Sequence, residues 1–372
     1  MRMPRPKIMP VALAARWPGF VGLAFGIALL NLLTIGLYKP YGVTRARRAL
    51  YREIYVGRDP LAYEGDARSL SRVTFYPSLA FLVMLLVPGV VQIWVDWQSA
   101  VLIGVLQLVG IMAYYQYLAF LSRQYELSQI SWRGYGFTLN GSAFAYMRGA
   151  LTGTCLNILT LGVLAPRRRT ALAELQYGDM HYGRHQVRFN LDGDDLWVPY
   201  LLGWALSWLG WAIGLVYYWR VALVPLRLLL EGGTADPAMA QAVDPAMFSG
   251  EMGGAPDQAT LAEMGTYMNA LTLSFIVLPA VLLWQKLALA WYEHCWWLRF
   301  FAAFQLGETS LRYDGSALVL CALNCMSWAL NMFTANLTRP FTTYIKLRFF
   351  TANVVVTNPE PLESLIKPAF AS

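Results

Sequence analysis

The chain has 372 residues, of which 57% are hydrophobic and only 14% charged, against about 25% charged in an ordinary soluble protein. Fourteen tryptophans and twenty-one tyrosines, residues that favour the membrane–water boundary, complete the composition of an integral membrane protein. The net charge of +7 comes from basic residues beside apolar segments, which excludes nucleic acid as a partner and points to anionic membrane lipids.

The N-terminal ten residues are basic, but no short apolar core with a small-residue cleavage site follows, so no secretory signal is expected. A spanning helix needs about 20 mostly apolar residues. Seven segments meet or approach this: 17–37, 76–95, 100–121, 143–164, 197–218, 268–290 and 316–336. The expected fold class is an all-α integral membrane protein in one multi-pass domain, with about seven transmembrane helices. The segments "GFTLNG" (136–141) and "HQVRFNLDGDD" (185–195) alternate like short β-strands, and would lie outside the bilayer. Residues 231–263 carry six acidic residues and no basic one, which reads as a flexible acidic loop.

A motif recurs along the chain. "NLLTIGLYKP" (31–40) is nearly rewritten as "NILTLGVLAP" (157–166) and more loosely as "NMFTANLTRP" (331–340). The aligned positions are Asn31, Thr34, Gly36 and Pro40, then Asn157, Thr160, Gly162 and Pro166, then Asn331, Thr334 and Pro340, with Asn336 in place of the third glycine. Repeat units are placed near 17–66, 136–195 and 310–357. Each is a spanning helix, a break and a basic tail.

The motif has a physical reading. A buried asparagine amide seeks a partner on a neighbouring helix. The threonine hydroxyl can return to a carbonyl of the preceding turn. Glycine permits a non-helical φ, and proline, which has no N–H, stops plain continuation. The tail then lies in the interface with its cations toward lipid headgroups. Candidate headgroup contacts are Arg45, Arg47 and Arg48 after the first copy, Arg167, Arg168 and Arg169 after the second, and Lys346 and Arg348 after the third.

The threefold "N-L-L-T-I-G-L-Y-x-P" core, "YEGD" at 63–66 and "GFTLNGSAF" at 136–144 make the chain resemble the YjgN-like family of bacterial inner-membrane proteins of unknown function. The resemblance implies a multi-pass protein of the bacterial inner membrane and supplies no activity, cofactor or catalytic residue.

Eight basic residues between 39 and 75 favour a cytoplasmic end for the first helix. Strict alternation over seven spans then gives an outside N-terminus and an inside C-terminus, and sends Arg167–Arg169 outside, against the same rule. His181 and His185, with Asp179, have the spacing of a helical metal site but lie in strand-like sequence and lack a third strong ligand. Cys321 and Cys325 read as packing residues, and the glycine pairs 22/26 and 149/153 as points of close helix approach. No catalytic residue, cofactor or metal is expected. Two functions remain open: a transporter or channel for a small solute, in which the three asparagines face one polar cavity, and a non-transporting scaffold or anionic-lipid-interacting protein.

Overall fold

The computed structural model describes residues 8–14, 17–34, 38–221, 276–334 and 338–359. Gly36, Asn336, the acidic loop 231–263 and the start of the expected span 268–290 lie outside these residues, as do the side chains of Asn31 and Pro340. Contacts divide the chain into two compact units, one of Met1–Leu201 with Trp291–Ser372 and one of Leu202–Ala290.

The all-α expectation is overturned by eleven strands joined in one antiparallel sheet, all within the first unit. They are β1 (Ile8–Leu13), β2 (Ile54–Val56), β3 (Asp59–Tyr63), β4 (Ile130–Trp132), β5 (Tyr135–Leu139), β6 (Met180–Tyr182), β7 (His185–Gln186), β8 (Arg188–Phe189), β9 (Phe304–Leu306), β10 (Thr309–Tyr313) and β11 (Val354–Thr357). Their spatial order is β7-β6-β5-β4-β3-β2-β1-β11-β10-β9-β8. The two edge strands are separated in the chain only by Val187, whose N–H donates to the Met180 carbonyl at 2.8 Å. The sheet therefore returns on itself into a near-barrel, and the chain itself joins its edges. Closure removes the exposed edges that otherwise invite misassembly.

Two-residue turns with a left-handed glycine make the hairpins: Gly57 (φ 68°), Gly134 (φ 81°), Gly183 (φ 58°) and Gly307 (φ 64°). Positive φ is cheap only for glycine, and such turns match the twist of paired strands. The segments 136–141 and 185–195 do supply β5, β7 and β8, but as parts of a continuous ring rather than as isolated pieces.

The helices run between the strands. They are α1 (Trp17–Leu33), α2 (Lys39–Tyr51), α3 (Ala67–Ile93), α4 (Trp97–Ser128), α5 (Ala143–Leu159), α6 (Ala165–Tyr177), α7 (Trp197–Val221), α8 (Ile276–Ala288), α9 (Ala290–Ala302), α10 (Ala317–Phe333) and α11 (Arg339–Asn353). Each helical stretch leaves the ring from one strand and returns to its hydrogen-bonded neighbour. Thus α1 and α2 lie between Leu13 and Ile54, which pair, and α3 and α4 between Tyr63 and Ile130, which pair. The same holds for α5 and α6 between Leu139 and Met180, and for α10 and α11 between Tyr313 and Val354. The stretch from α7 to α9 begins after Phe189 and ends before its partner Phe304.

Seven spans are not found among the described residues. Among them two helical stretches, Trp97–Ser128 and Asp194–Tyr217, are long and apolar enough to cross a membrane, or up to three if Ile276–Ala288 and Ala290–Ala302 count as one. The physical reason is length. α1, α5 and α10 have 17 residues each, about 25 Å against a hydrocarbon core of about 30 Å, and each is followed by a basic helix that runs back to the ring. The outside-to-inside topology fails for a related reason. β1 and β11 are paired, Met9 with Val356, so the strands near both ends of the chain share one side.

The apolar surface of α4 is bare in this chain: none of its membrane-length window is buried. Its packing onto α3 includes a polar clamp, with Gln92 Nε2 donating to Gln107 Oε1 at 3.0 Å and Gln107 Nε2 to the Leu85 carbonyl at 2.9 Å. In the second unit, Trp284 Nε1 donates to the Leu206 carbonyl at 2.7 Å, and its ring fills the space above Gly210, tying α8 to α7.

Candidate functional site

The motif positions occupy the joints between paired helices. At each joint the threonine hydroxyl donates to the carbonyl four residues back: Thr34 to Leu30 (2.7 Å), Thr160 to Leu156 (2.8 Å) and Thr334 to Leu330 (2.6 Å). The same oxygen accepts the N–H four residues on, from Tyr38 (3.1 Å), Leu164 (3.4 Å) and Thr338 (3.3 Å). One hydroxyl thus satisfies a terminal carbonyl of the outgoing helix and an initial N–H of the returning one. In the second joint Leu161 (φ 51°) and Gly162 (φ 91°) are both left-handed, and the Gly162 N–H reaches the Asn157 carbonyl at 2.7 Å.

The asparagines do not behave alike. Asn331 Nδ2 donates to Thr342 Oγ1 and its Oδ1 accepts from Thr338 Oγ1, both at 3.2 Å, so it binds the start of α11. Asn157 Oδ1 is buried without a partner. Neither cavity described below includes Asn157 or Asn331 in its wall.

The candidate lipid-contact cations separate into two groups. Arg45, Arg48 and Arg52 surround a cleft of about 440 Å³ between α2 and the start of α3, with Tyr38, Tyr41 and Asp66. All three arginines are exposed. Arg48 Nη2 donates to the Gly65 carbonyl at 2.8 Å. Arg45 and Arg52 have no acidic partner among the described residues. Asp66 is occupied as the cap of α3, accepting from the Arg68 N–H at 3.2 Å. Arg167 and Arg348 are likewise exposed.

Arg47 and Arg169 turn inward instead. Arg47 pairs with Glu126 at 3.2 Å, and Glu126 also accepts from Tyr51 Oη at 3.1 Å and faces Arg123 at 3.5 Å. Arg123 in turn donates to Tyr177 Oη at 2.9 Å, so one carboxylate ties α2, α4 and α6 together. Burial, and then the Glu126 carboxylate beside it, push the Tyr51 phenol well above its ordinary value. Arg168 lies along Gly153, where its stem takes the room a Cβ would need, and its Nε is buried without a partner.

The other candidate site lies within the ring and opens to the outside. A cavity of about 270 Å³ is lined by side chains from every strand pair, including Val11, Val56, Leu61, Trp132, Phe137, Met180, Tyr182, Val187, Phe304, Leu306, Leu311 and Val356. Trp132, Tyr182, Val187 and Val356 are buried, and the others are partly buried against them. Of the polar groups at the wall, Thr309 Oγ1 donates to the Asn358 carbonyl at 2.8 Å and Ser310 Oγ shares a 2.7 Å hydrogen bond with Thr357 Oγ1, while Gln305 also lines it and Trp132 Nε1 is buried without a partner. Tyr182 Oη donates to the Trp132 carbonyl at 2.9 Å, and burial raises its phenol to about 12.

No group of three or more His, Cys, Asp or Glu side chains able to hold a metal occurs among the described residues. His181 pairs with Gln186, and His185 with Tyr182, a register that sets the two histidines on opposite faces of the sheet. Apart from Phe137 and Val187, which fall in the strand-like segments 136–141 and 185–195, the lumen wall is not evident from sequence, because its residues sit on strands of three to six residues.

The family model described as "Bacterial protein of unknown function (DUF898)" matches residues 9–370. The chain belongs to the DUF898 family. The YjgN-like resemblance and DUF898 are one family, and the match runs from β1 past β11, so the ring and all of its helical excursions fall within the DUF898 region. No curated protein and no solved structure matches this DUF898 chain.

Proposed function

We propose that this DUF898 member is a multi-pass protein of the bacterial inner membrane that binds anionic lipid headgroups through the basic rim of its strand ring. The observation that carries the reading is the cleft of Arg45, Arg48 and Arg52, in which Arg45 and Arg52 have no acidic partner among the described residues. Exposed guanidinium groups of this kind suit bidentate contact with phosphate. Every helical excursion starts and ends at paired strands, so α2, α6 and α11 all approach the same side. Basic segments favour the cytoplasmic face, and the ring is therefore read as cytoplasmic, with both chain ends beside it. The threefold recurrence of apolar helix, threonine joint and basic helix reads as an internal repeat that builds this rim.

A conduit for polar solutes has less support, because the wall of the ring's lumen is apolar. The preferred reading is a lipid-interacting scaffold without a catalytic step. The test is binding of the purified protein to nanodiscs with and without phosphatidylglycerol. Replacing Arg45, Arg48 and Arg52 by glutamine should weaken the preference for anionic discs and its sensitivity to salt. Unchanged preference in that variant would remove the support for this reading. Reporter fusions after Asp66 and after Ser372 should both give cytoplasmic signals.

A further inference from the structure

We propose that the lumen of the strand ring is a binding site for a hydrocarbon group. This rests on the ring alone and not on the basic rim. The lumen wall is built from aliphatic and aromatic side chains, among them Val11, Val56, Leu61, Phe137, Leu311 and Val356. Water needs two to four polar partners to occupy a cavity. Here the nearby hydroxyls of Thr309 and Ser310 are already paired outside it. With Gln305 and the Trp132 indole N–H as the remaining polar groups of the wall, the lumen offers little to an ion or to a polar solute.

Size limits the occupant. An apolar cavity of about 150 Å³ stays dry and takes up benzene. Scaled by volume, a space of about 270 Å³ admits roughly ten carbon atoms. The occupant is thus a short alkyl chain or a compact hydrocarbon. The tail of a membrane amphiphile and a free hydrocarbon share that chemistry.

The experiment uses the full chain in a sterol-based detergent, which carries no alkyl tail. Tryptophans are replaced by 5-fluorotryptophan and the Trp132 fluorine resonance is assigned by its loss in Trp132→Phe. Decane, and separately a decanoyl lysophospholipid, are titrated. A saturable shift of the Trp132 resonance is expected with at least one. A shift with both identifies the tail of an amphiphile, and a shift with decane alone a free hydrocarbon. Val56→Phe, which fills the lumen, should weaken binding by about tenfold or more. Leu311→Ala, which enlarges it, should shift the preference from decane to a longer alkane and covers the case in which the filled variant does not fold. Absence of a saturable shift in the wild type, or equal binding by a folded Val56→Phe variant, would overturn the proposal.

Discussion

Arg169 holds Glu293 through two hydrogen bonds, Nη1 to Oε1 at 2.9 Å and Nη2 to Oε2 at 3.2 Å, while its guanidinium lies 4.1 Å from the centre of the Trp296 ring. The pair joins α6 to α9 across 124 residues of sequence, and it takes Arg169 out of the set of free cations on the rim. Both side chains are about one-third exposed, so the Coulombic part is screened, and the fork geometry and ring stacking supply much of the value. Arg169→Ala should lower stability by about 1–3 kcal/mol, and Glu293→Ala in the same chain should add little. Arg169→Lys should recover only part of the loss. A double-mutant cycle read by thermal unfolding in detergent checks this, and additive losses would count against a coupled pair.

Gly65 and Gly315 each lie directly under the ring of the tyrosine two residues before, Tyr63 and Tyr313, with no room for a Cβ. Alanine at either position must push a buried ring away, at a cost of about 1–3 kcal/mol. Gly22, inside α1, has open space around it, and Gly22→Ala should be neutral or slightly stabilising. Melting temperatures of the three variants make the comparison, and a Gly315→Ala variant as stable as Gly22→Ala would contradict the packing.

Two buried tyrosines of the ring should respond differently to loss of the hydroxyl. Tyr182 Oη donates to the Trp132 carbonyl, whereas Tyr313 Oη is buried without a partner. Tyr182→Phe should therefore cost about 1 kcal/mol, and Tyr313→Phe should be neutral or stabilising. Urea titration in mild detergent distinguishes the two.

The same pair sets an alkaline limit. Burial raises both phenols from 10.0 to about 12, so the folded state keeps their protons longer than the unfolded chain does. A raised folded value gives a contribution that is complete below pH 10 and is lost as pH rises toward about 12. Stability should fall through that interval, and the Tyr182→Phe/Tyr313→Phe double variant should flatten the fall. A pH series of melting temperatures reads the slope directly.

Between α3 and α4, Gln92 Nε2 donates to Gln107 Oε1. Gln107→Leu leaves Gln92 without its acceptor and should weaken the hairpin by about 0.6–2 kcal/mol. The Gln92→Leu/Gln107→Leu pair should recover much of that loss, because two apolar residues leave no orphaned amide. Protease sensitivity at the α3–α4 turn is a suitable readout.

The helix joints were legible because their chemistry is local: Thr34, Thr160 and Thr334 each bond to backbone four residues away on either side. The ring was not, because its strands are paired across distances no local pattern carries, such as Ile8 with Thr357. Its turn signals were nevertheless present. "VGRD", "WRGY", "YGRH" and "LGET" (56–59, 132–135, 182–185 and 306–309) each place glycine in a two-residue link between strands. Apolar content drew attention to helices instead, and strands as short as Ile54–Val56 were absorbed into the helix tails. The cations show the same limit. Arg45 and Arg47 are two residues apart on α2, yet one faces the cleft and the other Glu126, a residue 79 positions further along the chain. Helical periodicity separates their faces, but only the fold reveals which face meets a carboxylate.

The pairing of β1 with β11 carries a timing consequence for biosynthesis. β1 is translated before every other strand of the ring, and its neighbour β11 after all of them. The helical excursions are therefore made while the ring is still open, with β1 paired to β2 alone. Closure then comes as the last step, and it completes the wall of the lumen.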